Sequence, residues 1–235
     1  MTRHKARWWI RIPLILIGIV LGIELWFFGW VLVWRVSEPG PTQFMQIRLA
    51  ELQKKNPGAR LQHQWVPYNQ ISMNLKKALI AAEDSKFMQH QGFDFDGIQK
   101  ALEKNEKRGR IAAGGSTITQ QLAKNLFLWP EKSLIRKGQE AAITLMIEGT
   151  WSKRRILEVY MNEIEWGTGI FGAEAAARHY FGVSASDLSE YQAAMLASMV
   201  PSPQYYDRKG ETDGLLRQTD VILERMNKVT IPPNR

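Results

Sequence analysis

Between Ile12 and Trp34 the sequence reads IPLILIGIVLGIELWFFGWVLVW, 23 residues carrying one charge, Glu24. At about 1.5 Å rise per residue a helix of this length spans roughly 34 Å, enough to cross a hydrocarbon core of about 30 Å. A cleavable leader has an apolar run of about 7–15 residues closed by a small-x-small site. Here the run is longer and is followed by Arg35-Val36-Ser37-Glu38-Pro39, so the expectation is an uncleaved anchor. Arg3, Lys5, Arg7 and Arg11 stand on one flank, and Arg35, offset by Glu38, on the other. The positive-inside rule then places residues 1–11 in the cytoplasm and residue 36 onward outside. Trp8 and Trp9 at one end, and Trp30 and Trp34 at the other, suit the two interfaces. An ionised acid mid-span costs roughly 2.5–3.5 kcal/mol on insertion scales. Glu24 therefore reads either as a polar contact to a partner helix or as a protonated, tolerated carboxyl.

Composition sharpens this reading. The chain has 235 residues, a length that suits one domain plus an anchor. It has no cysteine, which excludes disulfides, Cys zinc sites and thiol nucleophiles. Four histidines (His4, His63, His90 and His179) form no H-x-x-x-H pair, so a His-ligated metal is not expected. The net charge of +8 divides evenly but over unequal lengths. Residues 1–35 hold five basic residues and one acid (+4), and the other 200 hold 26 and 22 (+4). Five of the nine tryptophans also lie in the first segment. Such a distribution indicates a membrane rather than nucleic acid.

Pro39-Gly40-Pro41 breaks the chain after the anchor, and residues 42–55 carry Phe44, Ile47, Leu49 and Leu52 among polar residues, as an amphipathic helix would. From about 60 to 203 helical patterns follow one another with no convincing strand alternation. Helices are expected from Ser116 or Thr117 to about Leu128, with Thr117-x-x-Gln120 as a capping box. Others run from Ser133 to Thr150, from Ser152 to Asn162, and from Ser189 to before Pro201. A helix around Leu215–Asn227 and a frayed Pro-rich tail close the chain. The divisions are a basic tail (1–11), a transmembrane helix (12–34), a membrane-proximal linker and helix (35–60), a mainly α domain (61–205), and a C-terminal helix and tail (206–235).

Three segments carry chemistry. In the first, an apolar helical face (Leu75, Leu79, Ala82) leads into Glu83-Asp84-Ser85-Lys86-Phe87-Met88-Gln89-His90-Gln91-Gly92. Adjacent acids point about 100° apart on a helix, so one can face a cleft as a general base while the other holds the turn; a solvated acidic pair is the plainer reading. In the second, the Gly114-Gly115 turn enters a helix whose amides and dipole suit a phosphate. Thr117, Gln121 and Lys124 share a polar face, opposite apolar Ile118, Leu122 and Leu126. In the third, Arg136 and Glu140 lie at i, i+4, as an ordinary ion pair or as a cation for a phosphate beside an acid for a substrate. The stretches Lys153–Asn162 and Tyr180–Val200 read as packing.

Taken in order, these segments resemble the glycosyltransferase domain that polymerises peptidoglycan, glycosyltransferase family 51. E-D-x-x-F-x-x-H-x-G is matched by Glu83 to Gly92, and G-x-S-T-x-T-Q-Q-x-x-K-N by Gly114 to Asn125. R-K-x-x-E is matched by Arg136 to Glu140, K-x-x-I-L-x-x-Y-x-N by Lys153 to Asn162, and Y-F-G with the following Ala-rich helix by Tyr180 to Pro201. The family often has a basic residue after Y-F-G; here it is Val183.

The resemblance implies a lysozyme-like α-helical domain on a single transmembrane helix in a bacterial inner membrane, with the domain periplasmic. It implies that lipid II is polymerised with inversion into β-1,4-linked strands, releasing undecaprenyl diphosphate. Glu83 is the implied base and Glu140 the second essential acid. Lys124, Arg136 and Lys137 fall at diphosphate-side positions. Ser116, Thr117 and Gln121 line the cleft, while Asp84, Phe87 and His90 support the Glu83 turn. Partners implied are lipid II, the growing strand, membrane lipids and other cell-wall or division proteins, with no nucleic acid. No metal ligands are implied, and a divalent cation (Mg or Mn) at the diphosphate is left open. No S-x-x-K occurs, so a transpeptidase is not expected. Two rivals remain: a lytic transglycosylase, which would not need the Thr117-Gln121-Lys124 face with Arg136, and a non-catalytic cell-wall scaffold, which would not need both Glu83 and Glu140.

Overall fold

The structure, a computed structural model, describes residues 8–108 and 115–234. Gly114 and the basic residues Arg3, Lys5 and Arg7 lie outside the described residues. The chain divides into two units, residues 1–37 and 38–235. The first is a single helix, α1 (Trp8–Trp34), whose span Arg11–Trp34 is 24 residues long and almost entirely unburied. Leu14 to Leu21 and Leu25 to Trp26 present their apolar side chains outward, the reverse of a core helix. Trp26, Trp30 and Trp34 meet at i, i+4 intervals, the first pair edge-on and the second tilted, with ring centroids 6.0 and 5.3 Å apart. The helix is thus long and apolar enough to serve as a membrane anchor.

The second unit is mostly α: α2 (Gln43–Lys55), α3 (Met73–Glu83), α4 (Phe95–Arg108), α5 (Ile118–Phe127), α6 (Leu134–Thr150), α7 (Lys153–Glu163), α8 (Ala173–Phe181), α9 (Glu190–Met199), α10 (Pro203–Lys209) and α11 (Asp213–Met226). The starts follow local chemistry. Thr117, Ser133, Ser152 and Ser189 each accept a backbone N–H of the first turn, and Thr117 and Ser189 form full capping boxes with Gln120 and Gln192.

Helices α3, α9 and α11 pack on one another, and α5 packs on α6 and α7. Leu75 and Leu79 of α3 are wholly buried, as are Ala193, Ala194, Leu196 and Ala197 of α9. The alanines let the helices approach closely. Where polar groups enter this core they are satisfied: Thr219 Oγ1 donates to Leu215 O at 3.0 Å, and Ser198 Oγ to Ala194 O at 2.8 Å.

Two sequence expectations are corrected. A small three-stranded sheet is present: β1 (Gln62–His63), β2 (Glu165–Gly167) and β3 (Ile170–Phe171), in the order β1-β3-β2. β1 runs parallel to β3, with Gln62 opposite Ile170, and β2 is antiparallel to β3. Strands of two or three residues leave no alternation to read. The C-terminal tail is also pinned rather than frayed. Tyr68 Oη donates to Pro232 O at 2.8 Å, and the buried Lys76 donates to Asn234 Oδ1 at 3.3 Å while lying 3.9 Å over the Tyr68 ring. Burial, aided by the nearby Arg154 charge, pulls the Lys76 ammonium down to about 8.

Candidate active site

Helix α3 ends at Glu83 because Asp84 leaves helical geometry and serves as its C-cap. The two acids then do different things. Asp84 Oδ2 accepts the Ile118 N–H at 3.1 Å, the first turn of α5, and Oδ1 lies 2.8 Å from His90 Nε2. A carboxylate at a helix N-terminus is favoured by the dipole, so Asp84 fastens α5 to the turn after α3. Phe87 is wholly buried in that turn, beneath the Lys153 ammonium at 4.5 Å. Lys153 is in turn held by Glu148 at 2.8 Å, and Glu148 also accepts the Thr119 hydroxyl at 2.5 Å. Gly92 completes the turn at φ +87°, where a Cβ would stand 2.6 Å from Thr144 Cγ2.

Glu83 itself faces a cleft of about 230 Å³, shared with Ser85, Asp94, Ser116, Thr117 and Arg225. Gln121 Nε2 donates to Glu83 Oε2 at 2.6 Å, and the buried Tyr160 hydroxyl donates to Gln121 Oε1 at 2.9 Å. Because the phenol donates to the amide oxygen, the amide nitrogen is turned toward the carboxylate. Burial raises the Glu83 carboxyl above the ordinary range; the Gln121 hydrogen bond and the Lys124 charge oppose this, and Asp84 adds to it. A half-buried carboxylate held by an amide, with no ion pair among the described residues, keeps its basicity.

Glu140 stands in the opposite setting. Arg136 Nη1 donates to its Oε2 at 2.7 Å, and Lys137 Nζ contacts its Oε1. The intrahelical pair expected at i, i+4 is present and nearly closed to solvent. Arg136 also donates from Nε to Glu131 O at 2.9 Å, and Lys137 reaches Ser116 Oγ at 3.2 Å. Lys124 has no hydrogen bond or ion pair among the described residues. It borders a second cleft, of about 190 Å³, with Gln121, Asn125, Phe44, Arg48 and Glu165. Burial lowers its pKa, partly countered by the charge of Glu140. Its ammonium lies 5.7 Å from the centre of the Phe44 ring, a partly desolvated cation with no anion bound to it among the described residues, as a receptor for an anion would be.

The expected amide cradle at the start of α5 is partly occupied. Thr117 N donates to Gln120 Oε1, Gln120 N to Thr117 Oγ1, and Ile118 N to Asp84. The capping box and the Asp84 carboxylate have taken three of these donors, the N–H groups of Thr117, Ile118 and Gln120. Thr117, though it borders the cleft, also spends its hydroxyl proton on Gly92 O at 2.7 Å. Of the other expected residues, Gln121 and Lys124 border one cleft, while Arg136, Lys137 and Glu140 form a cluster that reaches Ser116. Tyr160, read from its periodicity as packing, is the residue the sequence reading missed; its polar tip on an otherwise apolar face was the available signal. Among the described residues no group of three or more His, Asp or Glu is placed to hold a metal ion.

A cleft bordered by Glu83 and a second bordered by Lys124, linked through Gln121, form the candidate active site of a mainly helical domain. Residues 49–227 match the sequence model of the transglycosylase family, to which the chain belongs. It is 60% identical over 225 residues to the biosynthetic peptidoglycan transglycosylase of Dechloromonas aromatica, covering 95% of this chain and 97% of that one. The proteins of the same name from Nitrosospira multiformis and Janthinobacterium sp. are 56% and 55% identical, with 96% and 99% of this chain covered and 98% and 99% of theirs.

Proposed function

We propose that the chain is a peptidoglycan glycosyltransferase that joins lipid II units into β-1,4-linked strands. The observation that carries the reading is the placement of Glu83, raised in pKa and bonded by Gln121, within the field of Lys124, which has no ion pair among the described residues. Glu83 takes the proton of the acceptor's 4-hydroxyl as that oxygen attacks the donor's anomeric carbon. The α-linked C–O bond to the diphosphate breaks, configuration inverts, and undecaprenyl diphosphate leaves. Its charge is good enough to depart without a proton donor, so Lys124, with Arg136 and Lys137 aligned by Glu140, supplies electrostatic stabilisation. This differs from glycoside hydrolysis, where an acid must protonate a poor leaving group. Asp84, Phe87, His90 and Tyr160 act by positioning Glu83 and Gln121.

On this reading the domain works at the outer face of the bacterial cytoplasmic membrane, which the excess of basic residues before the apolar span supports. There it meets membrane lipids, lipid II and the growing strand. Purified full-length chain in nanodiscs with lipid II tests the reading. A glycan ladder that lengthens with time is expected, and shortening of preformed strands, or no product, would overturn it.

A further inference from the structure

One buried carboxylate takes no part in the chemistry above, yet three segments of the site meet on it. Glu148 Oε1 accepts from Thr119 Oγ1 at 2.5 Å and from Lys153 Nζ at 2.8 Å, and its side chain is only 6% exposed. Its stem lies against the turn that follows Glu83: a Cβ on Gly92 would stand 3.1 Å from Glu148 Cγ. Lys153 in turn covers the buried Phe87 ring of that same turn. The other two segments lead back to the base. Thr119 lies two residues before Gln121 on α5. Lys153 lies seven residues before Tyr160 on α7, a spacing of about two turns that puts both on one face. Gln121 is the amide that accepts from Tyr160 and donates to Glu83.

We propose that Glu148 is a positioning residue for Glu83, fixing α5 against α7 so that the Gln121 amide meets the Tyr160 hydroxyl and the Glu83 carboxylate together. The inference rests on the polymerase reading, in which Glu83 is the base. One oxygen of Glu148 holds a donor from each helix, so a displacement of either breaks a charge-assisted bond in a place nearly closed to water. Asp84 already fastens the first residue of α5 to the turn. Glu148 adds the restraint between α5 and α7 that Asp84 does not supply. It is not among the described residues that border the two clefts, so its effect on the reaction passes through Gln121.

The test follows lipid II polymerisation by full-length chain in nanodiscs across pH, for wild type, Glu148→Gln, Tyr160→Phe and the double variant. Glu148→Gln keeps an acceptor for Thr119 but loses the charge that holds Lys153. It is expected to lower kcat about tenfold with KM changed under about twofold. Loss of the Gln121 donation raises the Glu83 pKa, so the acid limb moves to higher pH, as in Tyr160→Phe. Lys124 and Asp84, the charged groups that face Glu83, are left in place. Because both substitutions act through one amide, adding Tyr160→Phe to Glu148→Gln should cost under about twofold more. Glu148→Gln also leaves Lys153 without that anion, so Glu148→Gln/Lys153→Met, which removes both charges, guards against misfolding. This variant should recover the melting temperature of wild type and keep the loss in kcat. An unmoved acid limb, losses that multiply in the double variant, or a kcat restored together with the melting temperature overturns the proposal and leaves Glu148 a structural residue only. Those outcomes leave the polymerase reading standing. A wild type that makes no strand from lipid II removes that reading and the proposal with it.

Discussion

Glu83 and Glu140 are the same side chain in opposed settings. One ends a helix, is held by a single amide and is pushed toward its neutral form by burial. The other projects from mid-helix between two cations, Arg136 and Lys137. The difference teaches that a carboxylate's role is set by what satisfies it. An amide leaves a base free to take a proton, whereas an ion pair spends the charge on alignment and leaves the cations directed at a substrate.

The largest expected effect comes from removing the base. Glu83→Gln keeps the shape and the Gln121 contact, yet is expected to lower kcat by about 10³-fold, within the range of general-base catalysis, while lipid II binding persists. Residual turnover above a tenth of wild type would remove Glu83 from the reaction. Next comes Glu140→Gln, which leaves Arg136 and Lys137 without their anion. It should lower kcat/KM by about 10²-fold and stability by about 3 kcal/mol, as for a broken buried pair, both read from one preparation by kinetics and denaturant titration. Smaller is Tyr160→Phe, which frees the Gln121 amide to turn. A drop of about tenfold in kcat is expected, and the loss of the amide's donation raises the Glu83 pKa further, so the acid limb of the rate profile moves to higher pH.

The smallest effect has the clearest sign. The folded state holds the Glu83 proton more tightly than the unfolded chain, so stability falls as pH rises through the window above the ordinary value of 4.5. Glu83→Gln should therefore melt about 2–4 °C above wild type at pH 7, whereas Glu140→Gln melts below it. Equal shifts of one sign would erase the contrast between the two acids.

Local structure was largely legible because its causes are local. Thr117, Ser133, Ser152 and Ser189 cap helices from within three residues, and α1 announces itself by length and apolarity. The motif residues Glu83, Gln121, Lys124, Arg136 and Glu140 were legible as candidates for chemistry. What they touch was not, because it depends on the tertiary fold. Asp84 meets Ile118 across 34 residues, Tyr160 meets Gln121 across 39, and Arg48 meets Glu165 across 117. No periodicity records such pairings. The tail deceived for a related reason: Pro232 and Asn234 are ordered by Tyr68 and Lys76, more than 150 residues earlier.

The contrast is tested most directly by the pH dependence of kcat/KM for lipid II polymerisation, measured for wild type and for Glu140→Gln. Both should lose activity along the same acid limb, set above the ordinary glutamate value of 4.5 by the burial of Glu83, with Glu140→Gln lower at every pH. A limb that vanishes or moves by a full unit in Glu140→Gln would place the titrating base at Glu140 and contradict the assignment.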